Sequence, residues 1–239
     1  MNFLKSGFQA ALIVLILFSF AFQGQESASK EHKQEHSNIE GQRDANRHMH
    51  KADFETLVKH FEDPERETWQ KPELVIKKIS VLAGGTLKEK TIADIGAGSG
   101  YFTFRLARAA KKVIAIDIDE RFLNYIRSKN DSLKLPIETR LVPEDDPELT
   151  FGEADIVLSV NTYHHINKRR AYFEKVRNAL KPDGVLIIID FKKENMPVGP
   201  PLKMKVTAQT AKEELKQAGF NSSEIDQESL AYQYIITVK

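Results

Sequence analysis

From Thr91 onward the chain alternates short apolar runs with amphipathic stretches. The apolar runs Thr91–Ile95, Val113–Asp117, Ile137–Val142, Asp155–Val160 and Val185–Asp190 have strand length and are rich in Val and Ile. Between them, apolar positions recur at helical spacing over about 101–110, 119–128 and 168–180. In the last of these, Tyr172, Val176, Ala179 and Leu180 share one face. This alternation predicts a mostly parallel sheet with helices on its faces. Lys181-Pro182-Asp183-Gly184 reads as a turn, and Asn195–Pro201 as a stiff loop. A helix is predicted from about Ala208 to Ala218, with Ala208, Ala211, Leu215 and Ala218 inward and Gly219 as its cap. The closing runs, Glu224–Gln227 and Tyr232–Val238, leave no room for a crossover helix, so these two strands are expected to be antiparallel.

Upstream, the pattern changes to helical spacing alone. Phe54, Leu57, Val58 and Phe61 define one helix, and Asp63-Pro64 marks the start of the next. Gln70-Lys71-Pro72-Glu73 opens another, with Val75, Ile76, Ile79 and Leu82 as its buried stripe and Gly84-Gly85 as its end. Residues 51–90 thus form an N-terminal helical cap to a domain over 91–239. Trp69, the only tryptophan, is expected to anchor the packing of these helices, in a segment able to fold over a ligand site. Residues 23–50 are polar, charged and aperiodic, and read as a flexible linker. His32, His36, His48 and His50 have spacings a metal could use, but a solvated linker accounts for them, and no metal site is predicted.

The first 22 residues carry a single charge, Lys5, ahead of the apolar run Ala10–Phe22. A spanning helix needs about 20 apolar residues and a signal-peptide core about 7–15. Residues 1–22 are therefore read as a signal peptide, with Ser19-Phe20-Ala21 at its cleavage site, and export to the periplasm or exterior is expected. An uncleaved anchor to the inner membrane is the alternative, and only then would the protein meet a membrane.

Composition narrows the chemistry. The 239 residues are 41% hydrophobic and 29% charged, enough for one domain with a real core. With 35 basic and 34 acidic residues, the net charge of +1 gives no reason to expect nucleic acid as a partner. The chain lacks cysteine, which excludes disulfides, thiolate metal sites and cysteine nucleophiles.

The candidate site is Asp94-Ile95-Gly96-Ala97-Gly98-Ser99-Gly100, a glycine turn between a predicted strand and helix. Asp117 closes the next strand 21 residues after Gly96. In a parallel sheet, glycines at such a turn let a nucleoside ligand approach the backbone, and an acid at the second strand's end accepts ribose hydroxyls. The spacing G-x-G-x-G departs from the dinucleotide pattern G-x-G-x-x-G. An acid just before the glycines would repel a pyrophosphate but suit an ammonium group. S-adenosylmethionine carries an amino-acid head and no phosphate.

These residues, with the strand Asp155–Val160 and Leu180-Lys181-Pro182-Asp183-Gly184, resemble the class I S-adenosylmethionine-dependent methyltransferases over about Pro72 to Lys239. The segment Phe61–Arg66 with Trp69–Pro72 is similar to a subgroup of bacterial small-molecule type. The resemblance implies an α/β fold: a three-layer Rossmann-like sandwich with a seven-stranded, mostly parallel sheet whose last strand is antiparallel. It implies that Asp94 and the backbone of Gly96, Ala97 and Gly98 hold the methionine portion of the cofactor S-adenosyl-L-methionine, with Gly100 also in the cofactor-binding turn. Asp117 would take the ribose, Ile118 would pack on the adenine, and Glu144 or Asp145 would meet its amino group. Asn161, at the fourth strand's end, would lie beside the transferring methyl.

Methyl transfer chiefly requires alignment of nucleophile and methyl, with a base only where the acceptor loses a proton. Asn161-Thr162-Tyr163-His164-His165 follows the fourth strand, where ligands of parallel sheets bind. His164 or His165 could serve as that base; each could equally cap a helix or fill space. Asn161-Thr162-Tyr163-His164 lacks the paired prolines of amino-methylating DNA enzymes. Asp190–Lys193 and the Pro200-Pro201 loop are placed to wall the acceptor pocket. The expected function is methyl transfer to a small molecule. The alternatives are a nicotinamide-dependent oxidoreductase, whose hydride-transfer constellation is missing, and a non-catalytic S-adenosylmethionine-binding module.

Overall fold

The seven apolar runs pair into one sheet in the computed structural model, which describes Asn46, Met49 and residues 51–239. The strands are β1 (Thr91–Ile95), β2 (Lys112–Asp117), β3 (Ile137–Leu141), β4 (Ala154–Val160), β5 (Leu180–Phe191), β6 (Ser223–Asp226) and β7 (Gln233–Val238). Their order is β3-β2-β1-β4-β5-β7-β6. The first five run parallel, and β7 is antiparallel to both β5 and β6. The Rossmann-like sheet with an antiparallel last strand is thus the fold observed. Residues 1–22, most of 23–50, and His32, His36, His48 and His50 lie outside the described residues. Among the described residues no helix is long and apolar enough to cross a membrane.

Seven helices accompany the sheet among the described residues: α1 (Phe54–Phe61), α2 (Glu65–Gln70), α3 (Pro72–Leu82), α4 (Thr103–Ala107), α5 (Glu120–Leu133), α6 (Arg169–Ala179) and α7 (Ala208–Gln217). Successive strand residues point to opposite faces, so both faces of the central strands must be covered. One face buries Ala93, Ile95, Ile114, Ile116 and Ile188 against Tyr172, Phe173 and Val176 of α6 and Ala211 and Leu215 of α7. The other buries Ile92, Val113, Ile156, Leu158 and Ile187 against Val75 and Ile79 of α3 and Leu106 of α4. This is the three-layer arrangement.

Three boundaries differ from the sequence reading. Lys181–Gly184 does not end before a new strand: Leu180 already pairs with Ala154, and the register jumps to Ile156–Val185. The turn signals mark a bulge inside β5. The helix expected over 101–110 shrinks to α4, because Lys111 and Lys112 already donate their N–H groups to Lys90 O at the edge of the sheet. The helix expected over 119–128 runs on to Leu133, since nothing breaks it before Lys134, whose φ of 52° ends the helix.

Candidate active site

The carboxyl ends of β1, β2 and β4 meet at the glycine turn. Asp94, next to last in β1, is 3% exposed and accepts a 2.6 Å hydrogen bond from Thr103 Oγ1. Burial raises its pKa to about 6, against the pull of that hydrogen bond; the Asp117 charge raises it further and Arg66 lowers it. Gly96 has φ 71°, and a Cβ there would run into the Thr162 side chain from the end of β4. Gly98, at φ 53°, lies under the ring of Phe61 from α1. Only glycine lets the turn pass this close to both neighbours.

Hydrogen bonding within the turn shows how it can meet a ligand. The N–H groups of Gly96 and Ala97 both donate to Ile116 O, at 2.8 and 3.0 Å, and Gly98 N–H donates to Asp117 Oδ2 at 2.8 Å. Gly100 N–H donates to Ala97 O. These amides are committed inside the protein. What the turn presents is a buried carboxylate and a close backbone approach, which suits a cationic donor and not a phosphate.

Asp117 ends β2 and is 8% exposed. Its second oxygen accepts from Asp119 N at 3.0 Å. Burial lifts its pKa to about 6 against the two backbone hydrogen bonds. Ile118 beside it is half-buried against the core. Glu144 and Asp145 are exposed on the turn after β3; the next acid, Asp146, pairs with Lys175 Nζ at 2.7 Å.

Asn161 has φ 57° and its N–H donates to Ile189 O at 2.8 Å. Its Oδ1 accepts from Gln233 Nε2. Gln233 Oε1 in turn accepts from Gln70 Nε2 at 3.0 Å, and Gln70 Oε1 accepts from Arg66 Nε at 2.6 Å. Arg66 also donates to Phe61 O at 2.8 Å and lies 4.0 Å above the Tyr101 ring. A buried amide chain therefore ties α1 and α2 to the end of β4. Gln70 and Gln233 were not legible as site residues, because their meeting depends on a contact across 163 positions. Trp69 meets Phe191 with ring centroids 5.9 Å apart, so it anchors α2 on β5.

His164 and His165 form the 3-10 turn Tyr163–His165 after β4, with ring centroids 4.3 Å apart. His164 is buried and its Nδ1 lies 2.8 and 3.0 Å from the two carboxylate oxygens of Asp190, the penultimate residue of β5. His165 Nδ1 lies 3.0 Å from Asn46 Oδ1. Burial, and secondarily the neighbouring His164, push the His165 pKa down to about 3, so this ring stays neutral. A hollow of about 290 Å³ beside the site is lined by Glu62, Glu67, Gly100, Tyr101, Arg105 and Lys129 among others, but not by Asp94, Asp117, Asn161 or His164. Phe61 covers the turn at Gly98.

The chain is similar to known proteins. Residues 93–188 match a family model described as a methyltransferase domain. A SAM dependent methyltransferase from Aquifex aeolicus has the same fold, with TM-score 0.70 and 28% identity over 79% of this chain and 98% of that one. A tRNA U34 carboxymethyltransferase from Cellvibrio japonicus is 30% identical over 106 residues, 43% of this chain and 33% of the relative. A ubiquinone biosynthesis O-methyltransferase from Hydrogenovibrio crunogenus is 28% identical over 100 residues, 41% of this chain and 42% of the relative. The chain thus spans less than half the length of these two curated relatives. The expectation that excludes nucleic acid is overturned by the tRNA-modifying relatives. A net charge near zero describes the whole chain and does not forbid a local basic face.

Proposed function

We propose that this chain, which carries a class I S-adenosylmethionine-dependent methyltransferase domain, transfers a methyl group from S-adenosylmethionine to a small-molecule acceptor. One observation carries the reading. Two buried carboxylates, Asp94 and Asp117, flank a glycine turn in which the amides of Gly96, Ala97, Gly98 and Gly100 already have partners inside the protein. Such a turn receives hydrogen-bond donors and positive charge. The residues fit the amino group and the ribose of S-adenosylmethionine better than a pyrophosphate. When bound, that molecule supplies a sulfonium methyl group as the electrophile.

The remaining roles belong to the chain. Asp94 accepts from the ammonium, and Asp117 takes the ribose hydroxyls on lone pairs left free by Gly98 and Asp119. Ile118 offers an apolar edge to the base, and Glu144 or Asp145 its polar partner. Asn161, fixed by Gln233, borders the methyl. Phe61, with α1 and α2, covers the turn and excludes water, which strengthens every charge inside. The acceptor lies between Asn161–His165 and the aromatic wall formed by Trp69 and Phe191.

A tRNA acceptor is the second reading, favoured by the names of several relatives. Incubating the protein with methyl-labelled S-adenosylmethionine and separate tRNA and small-molecule fractions of a bacterial extract decides between them. Label in the small-molecule fraction alone supports the proposal, and label in tRNA replaces the acceptor.

A further inference from the structure

The glycine turn and its two acids leave one buried constellation unexplained, the contact between His164 and Asp190. Their side chains are 3% and 2% exposed. Asp190 Oδ2 accepts from the His164 backbone N–H at 2.9 Å, and Oδ1 accepts from Phe191 N at 2.7 Å. Both oxygens also lie within 3.0 Å of the His164 ring at Nδ1. An ionised carboxylate only accepts, so Nδ1 carries a proton and Nε2 carries the lone pair. Burial works against the Asp190 charge, but His164 and the two backbone donors outweigh it and hold its pKa below the ordinary value. A buried carboxylate held ionised in this way stabilises any positive charge that forms on the ring.

The other ring nitrogen, Nε2, has no hydrogen-bond partner among the described residues. Among the described residues, the sealed side-chain atoms without a partner are Ser99 Oγ, Ser159 Oγ and Tyr234 Oη, and Nε2 of His164 is not among them. The ring lies three residues beyond Asn161 and faces Phe191, which in turn packs on Trp69. His165 differs: among the described residues it has no carboxylate partner, and its Nδ1 is spent on Asn46.

We propose that His164 is the general base of the reaction, acting through Nε2 on a hydroxyl acceptor, and that Asp190 is the positioning residue that fixes its tautomer. This rests on the methyl-transfer reading above. The acceptor oxygen bonds to the methyl carbon as the carbon–sulfur bond breaks and its electron pair stays on sulfur. The hydroxyl proton passes to Nε2. The positive charge lost at sulfur reappears on the imidazolium, faces Asp190, and leaves as a proton to water. The titratable groups facing this pair are His165, Tyr234 and Lys205. A base in such a position contributes roughly 10²–10⁴-fold.

Two measurements test this. The first is ¹⁵N NMR of the imidazole rings in the unliganded wild-type protein. His164 should be protonated at Nδ1 and bare at Nε2, and the Nε2–H tautomer would overturn the proposal. Asp190→Asn should move the His164 tautomer towards Nε2–H in the same spectra; an unchanged tautomer in a folded variant counts against positioning. The second is methylation of phenol, catechol and benzyl alcohol as hydroxyl probes. Wild type should methylate at least one, and His164→Gln should lower kcat by roughly 10²-fold or more with little change in the affinity for S-adenosylhomocysteine. Asp190→Asn should lower kcat and shift its pH profile. Binding of S-adenosylhomocysteine without methylation of any probe would overturn the hydroxyl-base assignment and leave the cofactor reading standing. Failure to bind S-adenosylhomocysteine would sink both.

Discussion

Replacing Asp117 with Asn separates what this side chain does for the fold from what it does for the ligand. In the unliganded protein Asp117 is ionised near neutral pH although buried, with a pKa raised from 3.8 to about 6. A raised carboxyl pKa means the folded state holds a proton that the unfolded state releases. The unliganded fold therefore loses stability as pH rises through this window, and the shift of about two units corresponds to about 3 kcal/mol. Asn removes that penalty. Its amide nitrogen, however, must face one of the two N–H donors, from Gly98 or Asp119, and an unsatisfied buried donor costs about 1–3 kcal/mol. The two effects offset, so urea unfolding at pH 7.5 should place the variant within about 2 kcal/mol of wild type. Cofactor binding has no such compensation. A hydrogen bond to a charged acceptor contributes about 1.5–3 kcal/mol, so losing one such bond at the ribose should weaken S-adenosylhomocysteine binding roughly 10- to 150-fold in calorimetry. Below pH 6 the wild-type affinity should fall as Asp94 and Asp117 take up protons, and the variant should show the shallower fall of one acid. An Asn variant that binds within threefold of wild type would refute the assignment of Asp117 to the ribose.

Gly96→Ala should cost about 2–4 kcal/mol in denaturant unfolding and abolish cofactor binding, because the new methyl meets Thr162 at a φ of 71°; a variant as stable as wild type would show that the turn is looser than described. Gln233→Leu cuts the amide chain between Gln70 and Asn161 and strands buried polar groups, so a loss of about 1–3 kcal/mol in urea unfolding is expected. Because Phe61 covers Gly98, S-adenosylhomocysteine should change amide hydrogen exchange within α1 and α2, and an unchanged pattern there would contradict the covering role. Expressed with its first 22 residues in a Gram-negative host, the chain should be recovered from the periplasm with Phe22 at its mature N-terminus by mass spectrometry; an intact Met1 in the membrane fraction would favour the anchor.

The sheet was legible because its signals are local and redundant. Apolar strands such as Val113–Ile116 are buried on both faces, and alternation with amphipathic helices allows few topologies. The glycine turn was legible for the same reason: the residues that shape Gly96–Gly100 are adjacent in sequence. What escaped depends on distance along the chain. Asp190 was legible as a strand end at the wall of the acceptor pocket, but no local signal pairs it with His164, 26 positions away. Gln70 looked like a helix start and Gln233 like an ordinary strand residue, although both are buried and bonded to each other. Polar side chains of this kind carry no periodic signature. Lys181–Gly184 misled for a different reason, since turn chemistry marks a β-bulge as readily as the gap before a strand.

The central claim is that the turn at Asp94–Gly100 together with Asp117 receives the methyl donor. Calorimetric titration of the protein with S-adenosylmethionine, S-adenosylhomocysteine and NAD tests it most directly. One-to-one binding of the first two is expected and none of NAD, whose pyrophosphate would meet the buried Asp94 carboxylate. Binding of NAD alone would contradict it.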